Sequence, residues 1–123
     1  MGHGFGRDRR LRQRREFDLV FRRGRRLGGA LFTLIALPNE RADHRLGIAV
    51  GRRVGGAVER NRARRLLREA FRRLGGPVRP GHDMVLVARP EIKGRTQGEV
   101  DRELSKRFGQ LAGRGSPRPP ALD

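Results

Sequence analysis

The 123-residue sequence contains no cysteine, no tryptophan and no tyrosine. Without cysteine, disulfide scaffolds, thiol nucleophiles and cysteine-ligated zinc are all excluded. Lysine is almost missing as well: Lys93 and Lys106 are the only two, so 28 of the 30 basic residues are arginine. Long hydrophobic runs are absent. The longest, Ala30 to Leu37, is interrupted by Thr33 and falls far short of the ~20 residues that span a bilayer. No apolar segment follows the opening Met1-Gly2-His3-Gly4-Phe5, so no secretory signal is expected and a cytoplasmic location is. Acidic residues are scarce, 13 against 30 basic ones, which leaves a formal net charge of +17. A field of that sign attracts polyanions, and arginine's planar fork matches phosphate better than lysine's point charge.

What remains is enough for one domain with one core. Residues 1–10 are rich in glycine and arginine and read as a flexible basic arm. Residues 113–123 read as a disordered tail, because Gly113, Gly115, Pro117, Pro119 and Pro120 defeat regular structure. The folded domain is therefore expected over residues 11–112. Within it, Phe17, Val20 and Phe21 share one face of a helix from about Arg14 to Arg23, with Gly24 placed for a left-handed cap and no good N-cap residue ahead of it. Strands are expected over Ala30–Leu37 and Arg45–Val50, joined as a hairpin by the polar loop Asn39–His44. A helix over Ala57–Leu74 gathers Ala63, Leu66, Leu67, Ala70, Phe71 and Leu74 on one side, and Gly75-Gly76-Pro77 stops it. Met84 to Ala88 is a continuous apolar run, as in a strand buried on both faces and paired in parallel through a βαβ unit. A final helix opens with the capping-box spacing Thr96-Gln97-Gly98-Glu99, and Val100, Leu104, Phe108 and Leu111 form its apolar stripe. The fold class is α+β: one small sheet with helices packed on it.

The charge is concentrated. Residues 51–73 hold nine Arg and two Glu, a net +7. Opposite the apolar side of the long helix stand Asn61, Arg64, Arg65, Arg68 and Arg72. A solvated helix face is the ordinary reading of a charge run, but such faces mix signs for i, i+4 pairing, whereas this stripe repels itself. A polyanion would relieve that repulsion and release counterions in doing so, which points to nucleic acid. On the first helix, Phe17 and Phe21 stand among Arg14, Arg15, Arg22 and Arg23. They are either core residues or a stacking platform for unpaired bases, and the spacing alone allows both.

Catalytic residues are not evident. His3, His44 and His82 are scattered over expected loops and the arm, without metal-ligand spacing. Asp83 beside His82 reads as a strand-edge turn. Glu59 and Glu69 lie among arginines that should hold them ionised, unsuited to general-acid work. No glycine-rich phosphate loop occurs, and no zinc-finger, basic-zipper or RNA-recognition-motif signature.

The run Ala57-Val58-Glu59-Arg60-Asn61-Arg62-Ala63-Arg64-Arg65-Leu66-Leu67-Arg68-Glu69-Ala70-Phe71-Arg72 resembles the signature helix of the bacterial ribonuclease P protein subunit family. That family's pattern is AV-x-RN-x-x-(K/R)R-x-x-RE-x-(F)-R, preceded by a glycine and a basic pair, and Arg52-Arg53-Val54-Gly55 fits the lead-in. The likeness extends to Phe17–Phe21 with Gly24, to Arg45–Val50 and to Asp83–Arg89. It implies an αβββαβα order with a left-handed βαβ crossover, against the usual hand. It also implies a protein that binds ribonuclease P RNA, while that RNA carries the Mg²⁺ ions that remove the 5′ leader of precursor tRNA. No membrane or small-molecule substrate enters that picture. By position, Arg60, Asn61, Arg62, Arg64, Arg65, Arg68 and Arg72 would face the catalytic RNA. A cleft between this helix and the sheet, bordered by the first helix, would hold the leader on Phe17, Phe21, Arg52, Arg53 and Arg89. The chain departs from the pattern at Gly51, where members often have serine, and at Ile35, near where the first strand commonly offers an aromatic. Arg60 projects toward the apolar side, so the helix's N-terminal end should border open space. The alternative to this family is a structural RNA-binding protein such as a small ribosomal protein.

Overall fold

The computed structural model describes residues 10–11, 13–41, 43–75 and 81–112; the expected tail and all of the expected arm except Arg10 lie outside them. The elements are α1 (Arg14–Arg23), β1 (Arg25–Gly28), β2 (Phe32–Pro38), β3 (Arg45–Ala49), α2 (Ala57–Leu74), β4 (His82–Ala88) and α3 (Gln97–Ala112), with single 3₁₀ turns at Arg52–Val54 and Pro90–Ile92. The order is αβββαβα, an α+β domain.

The sheet runs β1-β2-β4-β3. β4 lies antiparallel to β2 and parallel to β3, with Ile35 opposite Val85 and Val85 opposite Gly47. The parallel pair joined through α2 is the expected βαβ unit. The expected hairpin between β2 and β3 is not formed, because β4 is inserted between them and Asn39–His44 becomes a crossover loop. Asp83 lies inside β4 rather than at a turn.

Strand alternation sorts the side chains onto two faces. Phe32, Leu34, Ala36, Leu46, Met84 and Leu86 join Ala63, Leu66, Leu67, Ala70 and Phe71 of α2 and Val100, Leu104 and Phe108 of α3 in the main core. Phe71 and Phe108 meet edge to face at 6.1 Å, and Gln97 Nε2 donates to the Leu66 carbonyl at 2.9 Å across the two helices. The opposite face carries α1 alone, over a second cluster of Leu11, Val20, Ile35 and Val85.

Local chemistry explains the helix ends. The Glu16 carboxylate accepts the Gln13 N–H at 3.1 Å, so α1 does have an N-terminal cap. Glu99 accepts the Thr96 N–H at 2.9 Å while the Thr96 hydroxyl accepts the Glu99 N–H, the reciprocal cap read from the spacing. Gly24 is extended (φ −71, ψ 154) rather than left-handed. Glycine is needed there for room: a Cβ would stand 2.5 Å from the Val20 carbonyl oxygen and 2.6 Å from Ile35 Cγ2.

Candidate nucleic-acid interface

α2 presents Val58, Asn61, Arg65, Arg68 and Arg72 as one exposed stripe, spaced i, i+3, i+7, i+10, i+14 along the helix. The arginines singled out from the sequence are not equivalent. Arg64 Nη1 donates to Asn61 Oδ1 at 3.0 Å, and Arg62 Nη2 to the Arg95 carbonyl at 2.8 Å. Arg72 is ion-paired with Glu69, which it shares with Arg73; Arg73 also pairs with Asp101. The Arg72 hydrogen bond and the two positive charges outweigh a small desolvation and hold the Glu69 carboxyl below the usual range. Arg60 is half-buried beside the Gly55 carbonyl, on a helix that already starts at Ala57. Among the described residues, Arg65 and Arg68 alone of this set have no ion pair or hydrogen bond and stand ready for an external anion. Val58, 78% exposed at the head of the stripe, escaped the sequence reading, since nothing in a valine's identity marks it as outward-facing.

The other expected surface lies across the sheet. α1 crosses the row Arg26–Ile35–Val85–Gly47: Val20 packs on Ile35 and Val85, and the Phe17 ring sits on Gly47. A Cβ at Gly47 would stand 2.6 Å from that ring, so glycine provides its seat. One row on, Gly28, Thr33, Val87 and Ala49 lie side by side with no helix above them. Thr33, Val87 and Ala49 are half-buried, as are Phe17 and Phe21. The two phenylalanines are therefore both core and surface, packed on the minor cluster while leaving ring area open. Exposed Arg52 and Arg53 follow the end of β3, and exposed Arg89 follows β4, paired loosely with Glu91 at 3.7 Å. Phe17 and Phe21 thus stand beside this open row, a shelf on the α1 face, and Arg52, Arg53 and Arg89 lie just past the ends of the two strands, β3 and β4, that contribute to it. Along most of α2 the main core fills the space against the sheet; the expected cleft is reduced to an opening at the β3 edge, between Phe17 of α1 and Arg64 and Arg68 of α2.

A buried network fixes α1 above this shelf. Arg45 grips Asp83 with two hydrogen bonds, 2.9 and 2.8 Å, and Glu16 of α1 with a third at 3.1 Å; Asn39 donates to Asp83 at 2.8 Å. Burial pushes the Asp83 carboxyl up, but the bonds from Arg45 and Asn39 and the nearby positive charge prevail and hold it below its ordinary value. Arg45 is correspondingly raised, chiefly by its bond to Asp83. His44 and His82, expected to be scattered, are buried together: the His82 N–H donates to His44 Nδ1 at 2.9 Å. That bond is internal to the fold and lies away from both surfaces.

The two surfaces meet around the free edge of β3. A cavity of about 190 Å³ there has Leu46–Ile48 as its floor, Arg10, Leu11 and Phe17 on one side, and Arg64 and Arg68 on the other. Leu11 N–H donates to the Leu46 carbonyl at 3.0 Å, so the chain ahead of α1 adds a short pairing to this edge. Among the described residues no three histidine or carboxylate side chains gather as metal ligands, and no helix is long and apolar enough to cross a membrane.

Comparison with known proteins gives one family and one fold. The family model for Ribonuclease P matches residues 5–112. The ribonuclease P protein component of Shouchella clausii is 42% identical over 98 residues, covering 79% of this chain and 80% of the relative. That of an Exiguobacterium species is 39% identical over 99 residues, covering 80% and 86%. The solved ribonuclease P protein of Thermotoga maritima superposes with a TM-score of 0.73 at 34% identity, covering 80% of this chain and 94% of that one.

Proposed function

The chain belongs to the ribonuclease P protein family, and from that premise we propose that it holds two RNA segments at once: ribonuclease P RNA along α2 and the single-stranded 5′ leader of precursor tRNA on the α1 face. The observation that carries this reading is the pairing of opposites around β3. On one side stand guanidiniums without intramolecular partners, Arg65 and Arg68; on the other lies a half-open apolar shelf with two phenylalanine rings and an arginine rim. Folded RNA offers a dense phosphate surface to the first, and each phosphate neutralised releases counterions. Unpaired bases offer flat faces to the second, where stacking is sequence-tolerant, as a shelf serving many leaders requires. Asn61 orients Arg64 within the docking stripe, and Arg52, Arg53 and Arg89 neutralise leader phosphates at the strand ends.

The protein's part in the endonucleolytic step is to hold the leader against the catalytic RNA and lower the repulsion between the two strands. Mg²⁺ supplies the activation of the attacking water when bound by the RNA. The site of action is the cytoplasm.

Reconstitution tests the reading. Purified chain, a bacterial ribonuclease P RNA and precursor tRNA are combined at low Mg²⁺, with each component also omitted in turn. Cleavage that requires both protein and RNA is the expected result. Cleavage by the RNA that the protein leaves unchanged favours a structural RNA-binding protein, and cleavage by the protein alone would place the chemistry on its own side chains.

A further inference from the structure

A second group of unpaired arginines lies at the opposite end of the sheet from α2. Arg22 and Arg23 end α1, and Arg25 and Arg26 follow at once on β1, the edge strand. All four are exposed, and none forms an ion pair among the described residues. The helix dipole accounts for cations in the last turn of α1, and edge protection accounts for a charge on β1. Neither accounts for four of them within five positions, where they repel one another. Arg26 ties this corner to the shelf: its guanidinium stacks 5.9 Å from the Phe21 ring centroid, and its Nη2 donates to the Phe21 carbonyl at 3.3 Å.

The shelf runs parallel to α1 across four strands, about 14 Å from β3 to β1 at the usual strand spacing. Its β3 end adjoins the cavity that reaches Arg64 and Arg68; its β1 end opens onto the arginine corner. A single strand that leaves a folded RNA docked on α2 and crosses the shelf must exit over that corner. Arg25 pairs with Ala36 and so shares the face of the main core, whereas Arg26 pairs with Ile35 on the α1 face. Accepting the leader reading above, we propose that Arg22, Arg23 and Arg26 form a distal phosphate-binding surface for the upstream part of the leader. The holoenzyme then grips long leaders more tightly than short ones, independently of base sequence.

The test compares holoenzyme carrying the wild-type chain or Arg22→Gln/Arg23→Gln. Three substrates are bound over a salt series: mature tRNA, precursor tRNA with a leader that only spans the shelf, and precursor tRNA with a leader extended beyond it. Wild type is expected to bind the long leader most tightly. The double variant should lose about five-fold in affinity for the long leader alone, with its salt slope falling by about 1.4. Arg22→Lys/Arg23→Lys should restore both. A variant that keeps the wild-type gain on the long leader overturns the distal surface and leaves the shelf standing. Equal losses on all three substrates also overturn it, and assign the corner to another RNA. If wild type binds mature and leader-bearing tRNA alike, the shelf itself fails and the corner with it.

Discussion

On the α2–α3 side of the sheet, eighteen buried residues form one continuous core; on the α1 side the fully buried set is four. The strands are the same, so the difference lies in what covers them. A helix is about 10 Å wide with its side chains, and a seven-residue strand such as β2 is about 23 Å long. Two helices of 18 and 16 residues lying together close that length. A single ten-residue helix crossing the strands covers roughly three residues of each and leaves the next row open. Stability is concentrated on one face, and the open shelf on the other is what a single helix cannot reach.

The comparison breaks most visibly at a phenylalanine on each face. Phe71 is 1% exposed, between His44 and Phe108. Phe71→Ala should cost about 4 kcal/mol, read as a lower urea midpoint at constant m-value. Phe17→Ala removes a half-exposed ring and should cost only about 1.5 kcal/mol. Equal costs would mean that the α1 face is as closed as its opposite.

Besides its apolar cluster, α1 is held by the Glu16–Arg45–Asp83 network, so acid should loosen the open face first. The Asp83 carboxyl is held below its ordinary value in the fold, so its contribution is fully present above the unfolded value of about 4. It is lost as pH falls through the lower folded value. Removing one partner of this largely buried pair, in Asp83→Ala, should cost about 3 kcal/mol at pH 7. In urea titrations from pH 7 to pH 3, the variant should lose less stability below pH 4 than wild type does. Parallel pH curves would show that Arg45 draws no stabilising charge from Asp83.

Charge on the outside of the closed face should be nearly irrelevant to folding. Arg65→Glu/Arg68→Glu is expected to shift unfolding by less than about 0.5 kcal/mol. The same change should weaken assembly with ribonuclease P RNA by about 100-fold and lower the salt slope by about 1.8. Weaker assembly with an unchanged slope would mean that those two side chains do not neutralise phosphates.

How much of this was readable from the residues depended on the range of the information. The 3.6-residue rhythm of Ala63, Leu66, Leu67, Ala70 and Phe71 and the Thr96–Glu99 box are local, and both α2 and the start of α3 followed from them. β1 was invisible to pattern because only Leu27 of its four residues is buried; pairing with β2 defines it, not its own alternation. The polar loop Asn39–His44 looks the same whether β2 and β3 are neighbours or separated, and the strand that separates them lies more than 30 residues on. His44 and His82, 38 residues apart, meet only through the β3–β4 register. The stripe on α2 was legible as a helix face, although which arginines are free depended on Glu69, Asn61 and Arg95. The leader residues and the cleft beside α2 were both named by resemblance; of that cleft the structure has the cavity at the β3 edge, between Phe17 and the pair Arg64 and Arg68. Which face two helices fill and which one helix leaves open is a property of the assembled layers.

The smallest effect separates the two roles of the open face. Phe17→Leu and Phe21→Leu keep an apolar side chain of similar bulk over Gly47 and the minor cluster, so each should cost less than about 1.5 kcal/mol in stability. Leucine offers no π face, and base stacking on an aromatic contributes roughly 1–3 kcal/mol. Each variant should therefore narrow the preference for leader-bearing over mature tRNA by about five-fold, the lower end of that range, because much of each ring is already committed to the core. Affinity for ribonuclease P RNA should not change, since the surface proposed for it lies around the β3 edge on α2. If mature and leader-bearing tRNA lose affinity equally, the rings serve only the packing of α1, and the open row beside them has no leader to hold.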